Sequence, residues 1–326
     1  MNTTNLMKAI VINAYGSPDV LELKEVAKPA IKDDEALVRV HAAALNAGDV
    51  FALRGSPWLI RLSLGLNKPK NYILGCDMAG RVAAVGSRVT RFKPGDEVFA
   101  GCQGSLADYV RVAEDKLALK PANLTFEQAA AVPTAAVASF MGLRDAGKIQ
   151  PGQKVLINGA SGGVGTFAVQ IAKAFGAEVT GVCSTRNMNL VRSIGADHVV
   201  DYTREDFTQN GQRYDLILDN VASRSFSDLR RALTPQGKII PNSGHAGMGY
   251  VFKAYVLSLV RRQHGSMYLA VPNSQNLAPL KDLIEAGKVT PVIDKTYPLS
   301  ETPAAFRYLV KEHARGKVVI TLTAQE

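Results

Sequence analysis

The chain has 326 residues, 47% hydrophobic and 21% charged, a balance that fits a globular protein with more than one core. Its net charge is +9, but the basic residues are dispersed apart from pairs such as Arg230-Arg231 and Arg261-Arg262, with no zinc-finger or RNA-binding pattern, so nucleic acid is not an expected partner. No apolar run is long enough to span a membrane, the N-terminus lacks a signal pattern, and the scattered Cys76, Cys102 and Cys183 fit reduced thiols, so a cytoplasmic location is expected.

Residues 1–125 read as short strands between turns: Met7–Ile12, Val20–Val26, Glu35–Ala43, Gly80–Gly86, Asp96–Phe99 and Ser105–Val112. Val20–Val26 alternates with period two, and Lys93-Pro-Gly-Asp96 is a turn signal. These strands predict a β-rich, barrel-like domain. Within it, Trp58, Leu59, Ile60, Leu62 and Leu64 read either as the wall of an apolar pocket or as core.

From residue 126 strands alternate with helices, which predicts a parallel sheet covered on both faces over 126–265. A helix opens at Phe126 with Thr125 as its cap. Strands recur at Val155, Val179, His198–Asp201, Tyr214–Asp219 and Lys238–Pro241. The apolar Val251–Val260 reads as a packed helix or an interface element, and Ser266–Val271 as a last strand. The tail, 266–326, carries a helix over Gln275–Ala286 and a strand over Lys317–Thr321, and is expected to rejoin the first domain.

The most specific pattern is the strand–turn–helix beginning at Lys154. Val155, Leu156 and Ile157 form the apolar run; Ala160, Gly162 and Gly165 hold the positions of a G-x-G-x-x-G fingerprint; Ala168, Ile171 and Ala172 recur at helical spacing. Such a turn lets backbone N–H groups and a helix dipole meet a pyrophosphate. The next strand ends in Ser184-Thr185-Arg186-Asn187, without the carboxylate that would accept the ribose hydroxyls of NAD. Two hydroxyls and a guanidinium suit a 2′-phosphate, so NADPH is the expected cofactor. Ser184 also fits a helix cap, and one residue can serve both ends.

Six segments carry a resemblance: Leu45-Asn-Ala-Gly-Asp49, Gly75-Cys-Asp-Met-Ala-Gly-Arg-Val82, Phe92-Lys-Pro-Gly-Asp-Glu-Val98, Gly159-Ala-Ser-Gly-Gly-Val-Gly165, Gly195-Ala-Asp-His-Val-Val-Asp-Tyr202 and His313-Ala-Arg-Gly-Lys317. In this order the chain resembles the medium-chain dehydrogenase/reductase superfamily, in its zinc-independent quinone oxidoreductase branch with zeta-crystallin-like proteins and alkenal reductases. The resemblance implies an α/β fold: a GroES-like β-rich domain and a Rossmann doubly wound parallel sheet. It implies that Ser161, Gly162, Gly163, Val164, Ser184, Arg186, Tyr202, His313 and Arg315 lie along NADPH, that Thr134 approaches the nicotinamide, and that Asn46 and Asp49 stand on the acceptor side. His313 and Arg315 read equally as solvated charges, Asn46 as a turn residue, and Asp49 as a helix cap or an anchor for Arg54. The resemblance also implies a homodimer, through a sheet edge near 245–272.

Metal is not expected. The positions that match catalytic zinc ligands hold Asn46, Cys76 and a residue near Thr134, and the histidines show no ligand spacing. Without a Lewis acid, conjugated acceptors suit the site best, because reducing a quinone or enone leaves a delocalised anion. Phe51 stands where relatives often carry a tyrosine, so no tyrosine proton donor is expected there. The expected function is an NADPH-dependent quinone or α,β-unsaturated carbonyl reductase; an enoyl-thioester reductase and a non-catalytic NADPH-binding protein are the alternatives.

Overall fold

The chain's local patterns resolve into fourteen strands in a computed structural model that describes residues 5–69, 73–242, 256, 268–312 and 314–322. The described residues fall into two units. One lies within Met1–Thr134, Val271–Glu285 and Pro291–Glu326, the other within Ala135–Ala270 and Ala286–Thr290.

The first unit is built around β3 (Glu35–Leu45), the longest strand. Its alternating half-exposed and buried residues turn Val38 and Val40 into a core with Met78, Val98, Leu117, Phe306 and Ile320. Before it, β1 (Leu6–Val11) and β2 (Glu22–Ala27) form an antiparallel pair. After it, β4 (Asp77–Val85), β5 (Glu97–Gly101), β6 (Tyr109–Ala113) and β7 (Leu117–Leu119) extend the sheet, β4 and β6 both pairing with β3. Phe126–Ala130 is helical, and Thr125 caps it through a reciprocal pair with Gln128.

The second unit holds a five-stranded parallel sheet of β8 (Lys154–Asn158), β9 (Glu178–Cys183), β10 (His198–Asp201), β11 (Tyr214–Asp219) and β12 (Leu233–Pro241). Their order, β10-β9-β8-β11-β12, reverses direction between β8 and β11, and ligands of doubly wound sheets bind at the carboxyl ends beside such a switch. The strands are nearly continuous buried apolar runs, as a sheet covered on both faces requires. The chain then returns to the first unit, where β13 (Ile293–Pro298) pairs with β14 (Lys317–Thr321), and β14 runs antiparallel to β3.

Two expectations change. The strand foreseen from Ser105 begins at Tyr109, because Ala107 makes only a single bridge, to Ala9. The strand foreseen at 266–271 is absent over 268–271: Leu269 faces solvent, the Tyr268 hydroxyl bonds inward, and Pro272 brings no N–H for a ladder. Residues 266–267, the segment Val251–Val260 apart from Val256, and His313 lie outside the described residues.

Candidate functional site

In the second unit the turn after β8 is pinned to β9 by bonds from the Gly159 and Ala160 N–H groups to the Val182 carbonyl, 3.2 and 2.9 Å. Gly162 then caps the helix Gly163–Ala174, whose geometry leaves the N–H groups of Gly163, Val164 and Gly165 without partners inside the helix. A Cβ on Gly165 would lie 2.0 Å from the Gly159 carbonyl oxygen, so the close helix–strand contact admits only glycine. A Cβ on Gly162 would meet nothing closer than 3.5 Å, which leaves the mouth of the turn open. Ala160, at the first fingerprint position, is fully buried, and Gly181 on β9 provides its space.

Beside this turn Asn187, 4% exposed, donates from Nδ2 to Ser161 Oγ at 3.0 Å and to Ser184 Oγ at 3.4 Å. Its Oδ1 is buried with no hydrogen-bond partner in the protein, and such an orphaned acceptor suits a place where a polar ligand completes the bonding. Ser184 begins the turn Thr185–Asn187 without capping it through its side chain. Arg186 is exposed, and so is Tyr202 directly after β10. The nearby Asp201 is occupied by the Thr185 and Thr203 hydroxyls and by Arg204. The residues therefore fit a dinucleotide: an anion cradle at the glycine turn, two serine hydroxyls held by Asn187 and an exposed guanidinium.

The carboxyl ends of β8, β11 and β12 carry a polar chain that sequence reading missed. Asn158 donates to Asp219 at 2.8 Å, Asn220 to the Asn158 carbonyl at 3.0 Å, and Asn242 to Asn220 at 2.7 Å, with the Tyr268 hydroxyl 2.8 Å from Asn242. The available signal was a polar residue closing each of three apolar strands.

The first unit contains a different centre. The β14–β3 register sets Val318 opposite Leu45, and the β3–β4 register sets Ala44 opposite Asp77. Lys317, Asn46 and Asp77 thus converge from three strand ends. Lys317 Nζ donates to Asn46 Oδ1 at 2.5 Å and lies 3.8 Å from Asp77 Oδ2. Asp77 also accepts from Asn46 Nδ2 at 2.9 Å, Thr134 Oγ1 at 2.6 Å and the Thr134 N–H at 3.1 Å. Asp77 and Lys317 are 0% and 3% exposed. Burial raises Asp77 and lowers Lys317, and the donors converging on Asp77 oppose its shift.

Asn46 is the N-cap of the helix Ala47–Arg54, and Asp49 accepts its N–H at 2.7 Å. Asp49 is neither that cap nor the anchor of Arg54: it is 1% exposed, whereas Arg54 faces solvent. Burial raises the Asp49 carboxyl to about 6, while the Cys76 thiol and the Asn46 N–H pull it down. The Cys76 thiol is itself pushed well above its ordinary range by burial and by Asp49. A cleft of about 820 Å³ in this unit is lined by Cys76, Cys102, Gln103, Thr134 and Pro272, among others. Arg315 lies in this unit too, with its guanidinium 3.6 Å from Asp294. Asp77 and Lys317, both missed in the candidate set, stood inside two of the segments that carry the resemblance.

Two family models match the chain. Residues 32–122 match the alcohol dehydrogenase GroES-like domain, and residues 194–320 match a domain described as zinc-binding dehydrogenase. The chain is 36% identical to the NADPH-dependent alkenal/one oxidoreductase, chloroplastic, of Arabidopsis thaliana, over 96% of this chain and 79% of that protein. It is 34% identical to the mitochondrial NAD(P)H oxidoreductase RTN4IP1 of Danio rerio, over 97% and 92%. The solved quinone oxidoreductase of Coxiella burnetii is 30% identical with a TM-score of 0.86, covering 98% of this chain and all (100%) of that one. The zinc in the second domain's description does not fit these residues. The Lys317 ammonium takes the cationic place beside Asp77, and among the described residues no group of three metal-ligating side chains is found.

Proposed function

The chain belongs to the medium-chain dehydrogenase/reductase family, in its quinone oxidoreductase branch, and from that premise we propose that it reduces quinones or α,β-unsaturated carbonyls with NADPH. The observation that carries the cofactor reading is the end of β9. Ser184, Thr185 and Arg186 follow Cys183 with no carboxylate, and Asn187 orients two serine hydroxyls beside the glycine turn. Ala160 to Gly165 would cradle the pyrophosphate, Arg186 would pair with a 2′-phosphate, and Tyr202 would flank the adenosine. Thr134, His313 and Arg315 complete the set that the family pattern assigns to the coenzyme.

When bound, the reduced nicotinamide supplies a hydride to the acceptor, which is chemistry the protein itself cannot provide. The protein contributes orientation and a dry surface. We assign Asn46 and Asp49 to the acceptor side as positioning residues: Asn46 holds Asp77 and Lys317 together, and Asp49 fixes the loop that carries Asn46. The delocalised anion left by reduction takes its proton from water. We also read the chain as a cytosolic homodimer, although relatives are named as mitochondrial or chloroplastic; a monomer by light scattering at micromolar concentration would end the dimer reading.

The test is NADPH oxidation with phenanthrenequinone, benzoquinone, acrolein and crotonyl-CoA. Turnover with a quinone or acrolein is expected. Tight NADPH binding with no turnover on any acceptor overturns the reading, and turnover confined to crotonyl-CoA redirects it to thioesters.

A further inference from the structure

Four large apolar side chains within one short segment face solvent: Trp58 is 61% exposed, Leu59 46%, Leu62 58% and Leu66 54%. A 3-10 turn over Trp58–Ile60 runs into the helical turn Arg61–Leu64, so Trp58, Leu59 and Leu62 share one face while Ile60 and Leu64 turn the other way, half-buried. The segment is tied down. Arg61 Nε donates to the Gly55 carbonyl at 2.9 Å and its guanidinium stacks 4.6 Å from the Tyr15 ring, whose hydroxyl donates to the Gly65 carbonyl at 2.6 Å. The apolar face is therefore held outward by specific bonds. The residues that line the 820 Å³ cleft are others.

Charge identifies the occupant. From Val50 to Pro69 there is no Asp or Glu, while Arg54, Arg61 and Lys68 are cationic, Arg54 and Lys68 exposed, on a chain of net charge +9. We propose that this segment docks on an anionic lipid bilayer, with Trp58, Leu59, Leu62 and Leu66 entering the headgroup–acyl boundary and Arg54 and Lys68 meeting lipid phosphates. An apolar face with an aromatic residue and a cationic rim is the pattern of interfacial elements, and exposed clusters of this kind mark a partner surface. A second copy of the chain is disfavoured, because a self-complementary contact here would set cations against cations. No helix of the described residues is long and apolar enough to cross a membrane, so the docking is peripheral.

Trp58 is the only tryptophan in the chain, which makes its emission a built-in reporter. The full chain is mixed with vesicles of phosphatidylcholine alone or with roughly one-third phosphatidylglycerol, at low salt and at about 0.5 M salt. Expected are a blue shift and co-sedimentation with the anionic vesicles at low salt, lost at high salt. Leu62→Ser should weaken binding about tenfold through lost apolar burial, and Lys68→Glu several-fold through charge, both variants keeping the wild-type melting curve. Three outcomes overturn the proposal. They are no shift and no co-sedimentation with anionic vesicles, a shift that follows protein concentration without lipid, and a shift produced only by a soluble quinone.

Discussion

Replacing Lys317 by Met removes the only ammonium in the buried centre of the first unit, as described. Asp77, 0% exposed, would keep its bonds from Asn46 and Thr134 but lose the cation 3.8 Å away. Breaking one side of a buried ion pair costs about 3–5 kcal/mol, mostly as the uncompensated charge left behind. At about 2–4 °C per kcal/mol for a body of this size, the melting midpoint should fall by roughly 6–20 °C. Asp77→Asn in the same chain removes the stranded charge, so the double variant should recover more than half of the loss. The defect should also shrink in acid. Without Lys317, Asp77 and Asp49 face each other with no compensating charge, and protonation of either relieves the repulsion. Calorimetry and urea unfolding of wild type, both single variants and the double, at about pH 5 and about pH 8, give the cycle. A Lys317→Met cost below about 1 kcal/mol, or strictly additive single costs, would refute this account of the centre.

Asp49→Asn tests the same centre by pH. The folded-state value of about 6 lies above the ordinary 3.8, so the fold holds this proton longer than the unfolded chain and loses stability as pH rises through that window. The fall amounts to at most about 3 kcal/mol, from (6 − 3.8) × 1.36, and it should be missing in Asp49→Asn when urea midpoints at about pH 4 and about pH 7 are compared. Gly165→Ala drives a Cβ to 2.0 Å from the Gly159 carbonyl, a backbone atom that cannot swing aside, so calorimetric titration should show NADPH affinity down at least about tenfold; unchanged affinity would mean that the turn does not bind it. Arg186→Ala should raise the NADPH dissociation constant about tenfold and leave NADH nearly unchanged, and a retained NADPH preference removes Arg186 from the site. Asn187→Asp replaces the Nδ2 donor that bonds Ser161 and Ser184 with a buried carboxylate, and about tenfold weaker NADPH binding is the expected result in the same titration.

The sequence by itself determined whatever depends on neighbours along the chain. The apolar run, glycine turn and helix after Lys154 are legible because a buried parallel strand, a steric need for glycine and a helical repeat each leave a local signature. The Thr125 cap and the β-rich then alternating rhythm were legible for the same reason. The buried centre was not. Lys317 bonds Asn46 across 271 positions, and only the β14–β3 and β3–β4 registers bring Lys317, Asn46 and Asp77 together, a choice made by which strands pair and not by propensity at any of the three. The polar chain from Asn158 to Tyr268 likewise exists only because three strands end side by side. The Trp58–Leu64 run was readable as apolar, yet whether it faced a core or water was decided by the bonds from Tyr15 and Arg61, since hydrophobicity fixes what a side chain prefers and packing fixes what it receives.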